Sequence, residues 1–285
     1  MYQAGLILEG GGMRGIYTAG VLDAFMDENI EFSNIYGVSA GSCHASSYIS
    51  KQKGRALRAA INYIDDPNYS SIKSLVTTGN FFGVDMLYSQ IPNVYEPFDY
   101  ETFRAYKGKF YAVVTDVDTG EAVYLRVRDL SKQMWMIRAS SSLPLLSKTL
   151  VVKGRSYLDG GIADSIPIRR SIADGNHKNV VILTRDSGYR KEPNPAMKLM
   201  KLRYPRKKAF VERVGDRHIR YNETLDFLAS EEKAGRIFII RPAQKVEVGR
   251  LEKNKDKLLA LYELGLKDGK DSIERMKEYL NRKTR

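Results

Sequence analysis

The chain has 285 residues, 43% hydrophobic and 28% charged, with a formal net charge of +12. These values exclude wholesale disorder and fit one large α/β domain or one domain plus an extension. Cys43 is the only cysteine, which excludes an intrachain disulfide and favours a reducing, cytosolic setting.

The chain opens on the apolar run Gly5-Leu6-Ile7-Leu8, too short for a signal-peptide core and without a basic flank. Nowhere does a run approach the roughly 20 apolar residues of a membrane span. The expectation is a cytoplasmic protein whose membrane contact is peripheral. Leu6-Ile7-Leu8-Glu9 reads as a buried strand, and Gly15 to Asn29 as a helix with Val21, Leu22, Phe25 and Met26 on one face. A second strand at Asn34-Ile35-Tyr36-Gly37 precedes a helix from Ala40 to Ile49. Strand-like runs at Phe110-Thr115 and Glu121-Leu125 flank Asp118-Thr119-Gly120 and predict a hairpin. Gln133 to Ser140 predicts a short helix stopped near Pro144, and Val180-Thr184 another buried strand. Strands alternating with helices predict a largely parallel sheet covered on both faces.

Beyond Asp186 the texture changes. Met1 to Thr184 holds 19 Lys/Arg against 18 Asp/Glu, or +1, whereas Arg185 to Arg285 holds 27 against 16, or +11. Pro195 to Ala234 reads as basic and helical, broken at Pro205. A strand at about 236–241 is expected to rejoin the sheet. Leu251 to Arg282 reads as a long helix with Leu258, Tyr262, Leu266, Ile273, Met276 and Leu280 on a stripe that packs against the body. The basic third suits docking on anionic membrane better than nucleic acid, although Tyr204 lies among the Lys/Arg residues of 198–208; a plain solvated face explains it as well.

Three motifs carry chemistry. Gly10-Gly11-Gly12-Met13-Arg14-Gly15 lies between a strand and a helix, where converging N–H groups can hold a phosphate or the oxyanion of an acyl intermediate. A dinucleotide site would need an acid at the end of the next strand, and none is there. Gly37-Val38-Ser39-Ala40-Gly41 has the form of a nucleophile elbow, which lifts a serine hydroxyl above the strand ends. Such a serine ordinarily relies on a histidine. His44, in the nucleophile's own helix, is turned away by helical spacing; His177 precedes a strand at the opposite end from the elbow; His218 lies in the basic segment. Asp159-Gly160-Gly161 is a turn that could bring a buried carboxylate close enough to take the serine proton directly. Asp116, Asp118 and Gly120 lack the spacing of a calcium loop, and no cluster has metal-ligand spacing, so no metal or cofactor is expected.

In this order and spacing the three motifs resemble the patatin-like phospholipase family. Thr115-Asp116-Val117-Asp118-Thr119-Gly120 and Arg138-Ala139-Ser140-Ser141-Ser142-Leu143-Pro144 add to the likeness, which covers roughly Gly5 to Asp186. The tail resembles an extension of some bacterial members. The resemblance implies a three-layer α/β/α sandwich with a largely parallel central sheet in residues 1–185, followed by a mostly helical extension in 186–285. It implies acyl-lipid hydrolysis by a Ser–Asp dyad without histidine, with Ser39 as nucleophile and Asp159 as base. By position, Gly11, Gly12 and Met13 would line the oxyanion hole and Arg14 would support it. Gly10, Gly15, Gly37, Gly41, Gly160 and Gly161 complete the motifs. An acyltransferase or thioesterase with the same dyad remains open, as does a non-catalytic nucleotide-binding module.

Overall fold

A computed structural model describes residues 1–282. Eight strands form one mixed sheet: β1 (Tyr2–Leu8), β2 (Phe32–Val38), β3 (Lys109–Asp116), β4 (Ala122–Val127), β5 (Leu150–Val152), β6 (Arg155–Asp159), β7 (Asn179–Ile182) and β8 (Phe238–Ile240). The order is β5-β6-β3-β2-β1-β7-β8, with β4 also on β3. Strands β3, β2, β1, β7 and β8 run parallel, while β4 and β6 each pair antiparallel with β3 and β5 pairs antiparallel with β6. The helices are α1 (Ile16–Asp27), α2 (Ala40–Ile49), α3 (Arg55–Ile61), α4 (Ile72–Thr78), α5 (Tyr100–Ala105), α6 (Leu130–Ser140), α7 (Ile168–Ala173), α8 (Met197–Arg203), α9 (Lys208–Gly215), α10 (Arg217–Lys233) and α11 (Lys255–Asn281). A π-helical segment, Met86–Tyr95, lies between α4 and α5.

Alternation along the strands divides the core between two faces. Leu6 and Leu8 of β1, with Ile35, Phe110 and Ile182, pack under α1, α2 and α11. Ile7, Tyr36 and Val181 point the other way and meet Ile168 of α7 and Tyr221 and Leu228 of α10. The result is the three-layer sandwich, with apolar residues at successive positions because both faces are covered. Asp116 accepts the N–H groups of Asp118 and Thr119 and so closes the β3–β4 hairpin.

The long helix α11 lies along α1 at close range. The approach is made on glycines: a Cβ at Gly265 would run into the Tyr17 carbonyl, and one at Gly20 into the Tyr262 carbonyl. Buried hydroxyls lock the pair, Tyr17 donating to Asp268 (2.8 Å) and Tyr262 to Asp23 (2.5 Å). The buried face therefore runs through Leu258, Leu261, Tyr262, Gly265, Gly269, Ile273 and Met276, with Leu266 and Leu280 only half-buried. Tyr204 is buried against Phe210, with ring centroids 5.0 Å apart, and so is a core residue rather than a platform for stacking bases. No helix among the described residues is long and apolar enough to cross a membrane.

Candidate active site

The register of β3 builds the site. One edge of β3 pairs with β4 over residues 110–115. The other edge must therefore serve both β2, which ends at Val38 opposite Val113, and β6, which ends at Asp159 opposite Val114. A parallel strand and an antiparallel strand thus run into each other head to head. Ser39, the residue after β2, and Asp159, the last residue of β6, meet beside Val114. Residues 120 apart in sequence become neighbours because two strands share one edge.

Ser39 sits at φ 54°, ψ −125°, in the left-handed half of the map, where a non-glycine residue costs about 1–3 kcal/mol. The surroundings hold it there. Its N–H donates to Ser140 Oγ (2.9 Å), whose hydroxyl donates to the Val113 carbonyl (2.7 Å). Ser140 is fully buried and ties the elbow to the strand beneath it. Only its presence in the Arg138–Pro144 run marked it in the sequence. A Cβ at Gly41 would collide with the Leu8 carbonyl, and one at Gly37 with the Ser42 backbone, so the elbow's flanking glycines let α2 cross β1 and β2 closely.

Asp159 is buried. Its Oδ1 accepts the Gly161 N–H (2.8 Å), and its own N–H donates to the Ser142 carbonyl (2.8 Å). Oδ2 is buried without a hydrogen-bond partner. Burial pushes the Asp159 pKa up; the Ser39 hydroxyl, the Arg217 guanidinium and the Gly161 N–H oppose it. The net direction is upward.

Ser39 and Asp159 line one small cavity together with Gly10, Gly11, Gly12, Arg14 and Gly161. Gly12 adopts φ 58° and passes so close to the Arg250 carbonyl that a Cβ would overlap it. That carbonyl accepts the Met13 N–H (3.1 Å). Gly15 packs on Ala40 and His44, and Gly160 on the Val113 carbonyl, both outside the cavity.

The histidines are differently placed. His177 is exposed, just before β7, at the end of the sheet away from the elbow. His218 Nδ1 pairs with the Gly215 carbonyl (2.9 Å). His44 is turned from Ser39 on the helical wheel, yet with Ser39 it lines a separate apolar pocket that extends along α2. Burial lowers its pKa to about 4, so it is neutral at physiological pH.

The patatin-like phospholipase model matches residues 6–172. The chain belongs to that family. A second model, a domain of unknown function (DUF6363), matches residues 207–281. The uncharacterized protein YjjU of Escherichia coli is 34% identical over 187 residues, covering 63% of this chain and 51% of that protein. Lysophospholipase nte1 of Aspergillus niger is 28% identical over 178 residues, covering 58% of this chain and 11% of the fungal one. The chain thus spans about half the length of the bacterial relative and about a tenth of the fungal one. The solved structure of VipD from Legionella pneumophila aligns with a TM-score of 0.44 at 13% identity, over 99% of this chain and 67% of that one.

In this patatin-like chain two larger cavities flank Ser39, and Leu143 lines both. On one side a narrow apolar pocket of about 190 Å³ starts at Ser39 and Met13 and runs between α2, α3 and the π-helical segment, past Ala56, Ala60, Leu87 and Ile91. On the other, a wider cavity of about 930 Å³ includes Asp159 and is walled mostly by the chain beyond Thr184. Glu9 braces this side, accepting from the Thr184 N–H (2.6 Å) and hydroxyl (2.9 Å) and from the Tyr221 hydroxyl (2.5 Å). Neither Glu9 nor the pocket-lining residues of 51–98 belong to a motif.

Proposed function

We propose that this patatin-like protein is a serine lipid acyl hydrolase in which Ser39 and Asp159 act as a dyad. Their meeting beside Val114, with no histidine hydrogen-bonded to Ser39 among the described residues, is the observation that carries the reading. Asp159 takes the Ser39 proton as Oγ attacks the ester carbonyl, and the N–H groups of Gly11 and Gly12 stabilise the oxyanion. The Met13 N–H joins them once its bond to Arg250 is exchanged, and the Arg14 charge supports the hole. Asp159 then returns its proton to the leaving alcohol. Water, activated by the same carboxylate, releases the acyl group and regenerates Ser39.

The apolar pocket fits one acyl chain, and the fungal relative's name, lysophospholipase, accords with single-chain substrates. Each methylene it buries is worth about 0.8 kcal/mol, or roughly fourfold in kcat/KM, until the pocket is full. A lipid series of increasing chain length should therefore show a steep rise and then a plateau. Ser39→Ala is expected to abolish it throughout. Ala56→Phe, which fills the pocket, should lower the ratio of long-chain to short-chain kcat/KM by about tenfold or more. A flat chain-length profile in the parent protein would contradict the acyl-pocket assignment.

Peripheral docking on anionic membrane belongs to the same reading. Leu199 and Leu202 stand 51% and 77% exposed beside Lys198, Lys201 and Arg203. Raising salt is expected to release the protein from anionic vesicles, since exposed charges are screened beyond about 8 Å at physiological ionic strength. Binding that ignores salt, or no binding, contradicts it.

A further inference from the structure

Five cations crowd the small cavity at Ser39 and Asp159: Arg14, Arg185, Lys191, Arg217 and Arg250. The only carboxylates there are Asp159 and Glu9, and Glu9 is already occupied by Thr184 and Tyr221. None of the five forms a salt bridge among the described residues. The Nε atoms of Arg14, Arg185 and Arg217 are buried without any hydrogen-bond partner. Four of the five, all but Arg14, also line the larger cavity, which carries six Lys/Arg side chains and His218 against three carboxylates: Asp159, half-buried Asp186 and exposed Glu192. Arg185 and Arg217 each reach a single neutral acceptor, the Val246 carbonyl (3.1 Å) and the Ser165 hydroxyl (3.3 Å), and guanidinium groups kept from water with so few acceptors are costly unless an anion completes them.

The direction of the chemistry says which part of a substrate lies here. The acyl chain takes the apolar pocket. Asp159, which hands its proton to the leaving alcohol, opens on the basic cavity. The leaving alcohol therefore departs on the cationic side. We propose that Lys191, Arg217 and Arg250 form a phosphate-binding subsite that selects acyl esters whose alcohol portion carries a phosphate. The assignment rests on the hydrolase reading above and names the substrate class of that site. Burial, with Arg217 and Arg250 nearby, lowers Lys191 to about 7, and a bound phosphate relieves that repulsion. All three side chains come from the last third of the chain, where the excess positive charge resides. Part of that charge thus serves the site itself.

The test compares lysophosphatidate with the monoacylglycerol of the same chain, which lacks only the phosphate. The parent protein is expected to favour lysophosphatidate by tenfold or more in kcat/KM. Lys191→Met and Arg250→Met should each lower that ratio about tenfold; the Arg250 change keeps the backbone carbonyl that meets Met13. A ratio that stays the same in both folded variants overturns the subsite. Binding of glycerol 3-phosphate to the Ser39→Ala protein, measured by calorimetry, is a second arm that needs no turnover. It should be detectable and be weakened by Lys191→Met; absence of binding also overturns the proposal. Should no ester be cleaved while glycerol 3-phosphate binds, the hydrolase reading falls and the subsite stands. Inorganic phosphate that binds as tightly without competing with lysophosphatidate marks a free-phosphate site and refutes the lipid assignment.

Discussion

Asp159→Asn is expected to lower kcat by about 10³-fold or more while leaving the protein folded, because Asn can still accept the Gly161 N–H but cannot take the Ser39 proton. His177→Ala, far from the site, should leave turnover intact, and His44→Ala and His218→Ala should each cost less than about tenfold. The pH profile adds a second readout. As the proposed base, Asp159 would work only when ionised, and burial raises its pKa above the ordinary carboxylate value of about 4. Turnover must then fall as pH drops through that raised value and hold level from there toward neutrality, where Lys191 begins to lose its proton. His44, lowered to about 4 and neutral over that plateau, adds no limb of its own there. The limb should vanish from the residual activity of Asp159→Asn. A folded histidine variant without activity would assign the base elsewhere.

Gly265→Val is expected to destabilise the protein by about 3 kcal/mol, roughly a hundredfold in the folding equilibrium, as read from the denaturant midpoint. The new side chain meets the Tyr17 carbonyl, which cannot move without pulling α1 from the sheet. Separation of the helices would also weaken the Tyr17–Asp268 and Tyr262–Asp23 bonds. Lys270→Val, on the exposed side of the same helix, should change stability by no more than about 0.5 kcal/mol. Equal midpoints for the two variants would mean that α11 does not contribute to the cooperative fold.

The sandwich was legible because its strands carry continuous apolar runs and its turns carry glycine. The β3–β4 hairpin could be read from Asp118-Thr119-Gly120 for the same reason. The α11 stripe was readable only in part: its closest approach to α1 is at Gly265, which a search for apolar residues passes over. Ser39 was visible as an elbow, whereas its meeting with Asp159 depends on β2 and β6 sharing one edge of β3, a register that no local pattern encodes. The apolar pocket was silent in the sequence. Its lining residues in 51–98 are mostly ordinary apolar side chains, and the pocket is the space they leave. The basic tail was legible as charge alone; that Lys191, Arg217 and Arg250 turn inward, toward Ser39, follows from the return of the chain through α10 and β8.

Ser39 as the nucleophile is tested most directly by a fluorophosphonate, which bonds covalently only to an activated hydroxyl. Intact-mass analysis should find one adduct per chain, mapped to the peptide containing Ser39. It should be absent from Ser39→Ala and slowed about 100-fold or more in Asp159→Asn. Undiminished labelling of Ser39→Ala, or an adduct on any other residue, would contradict the dyad.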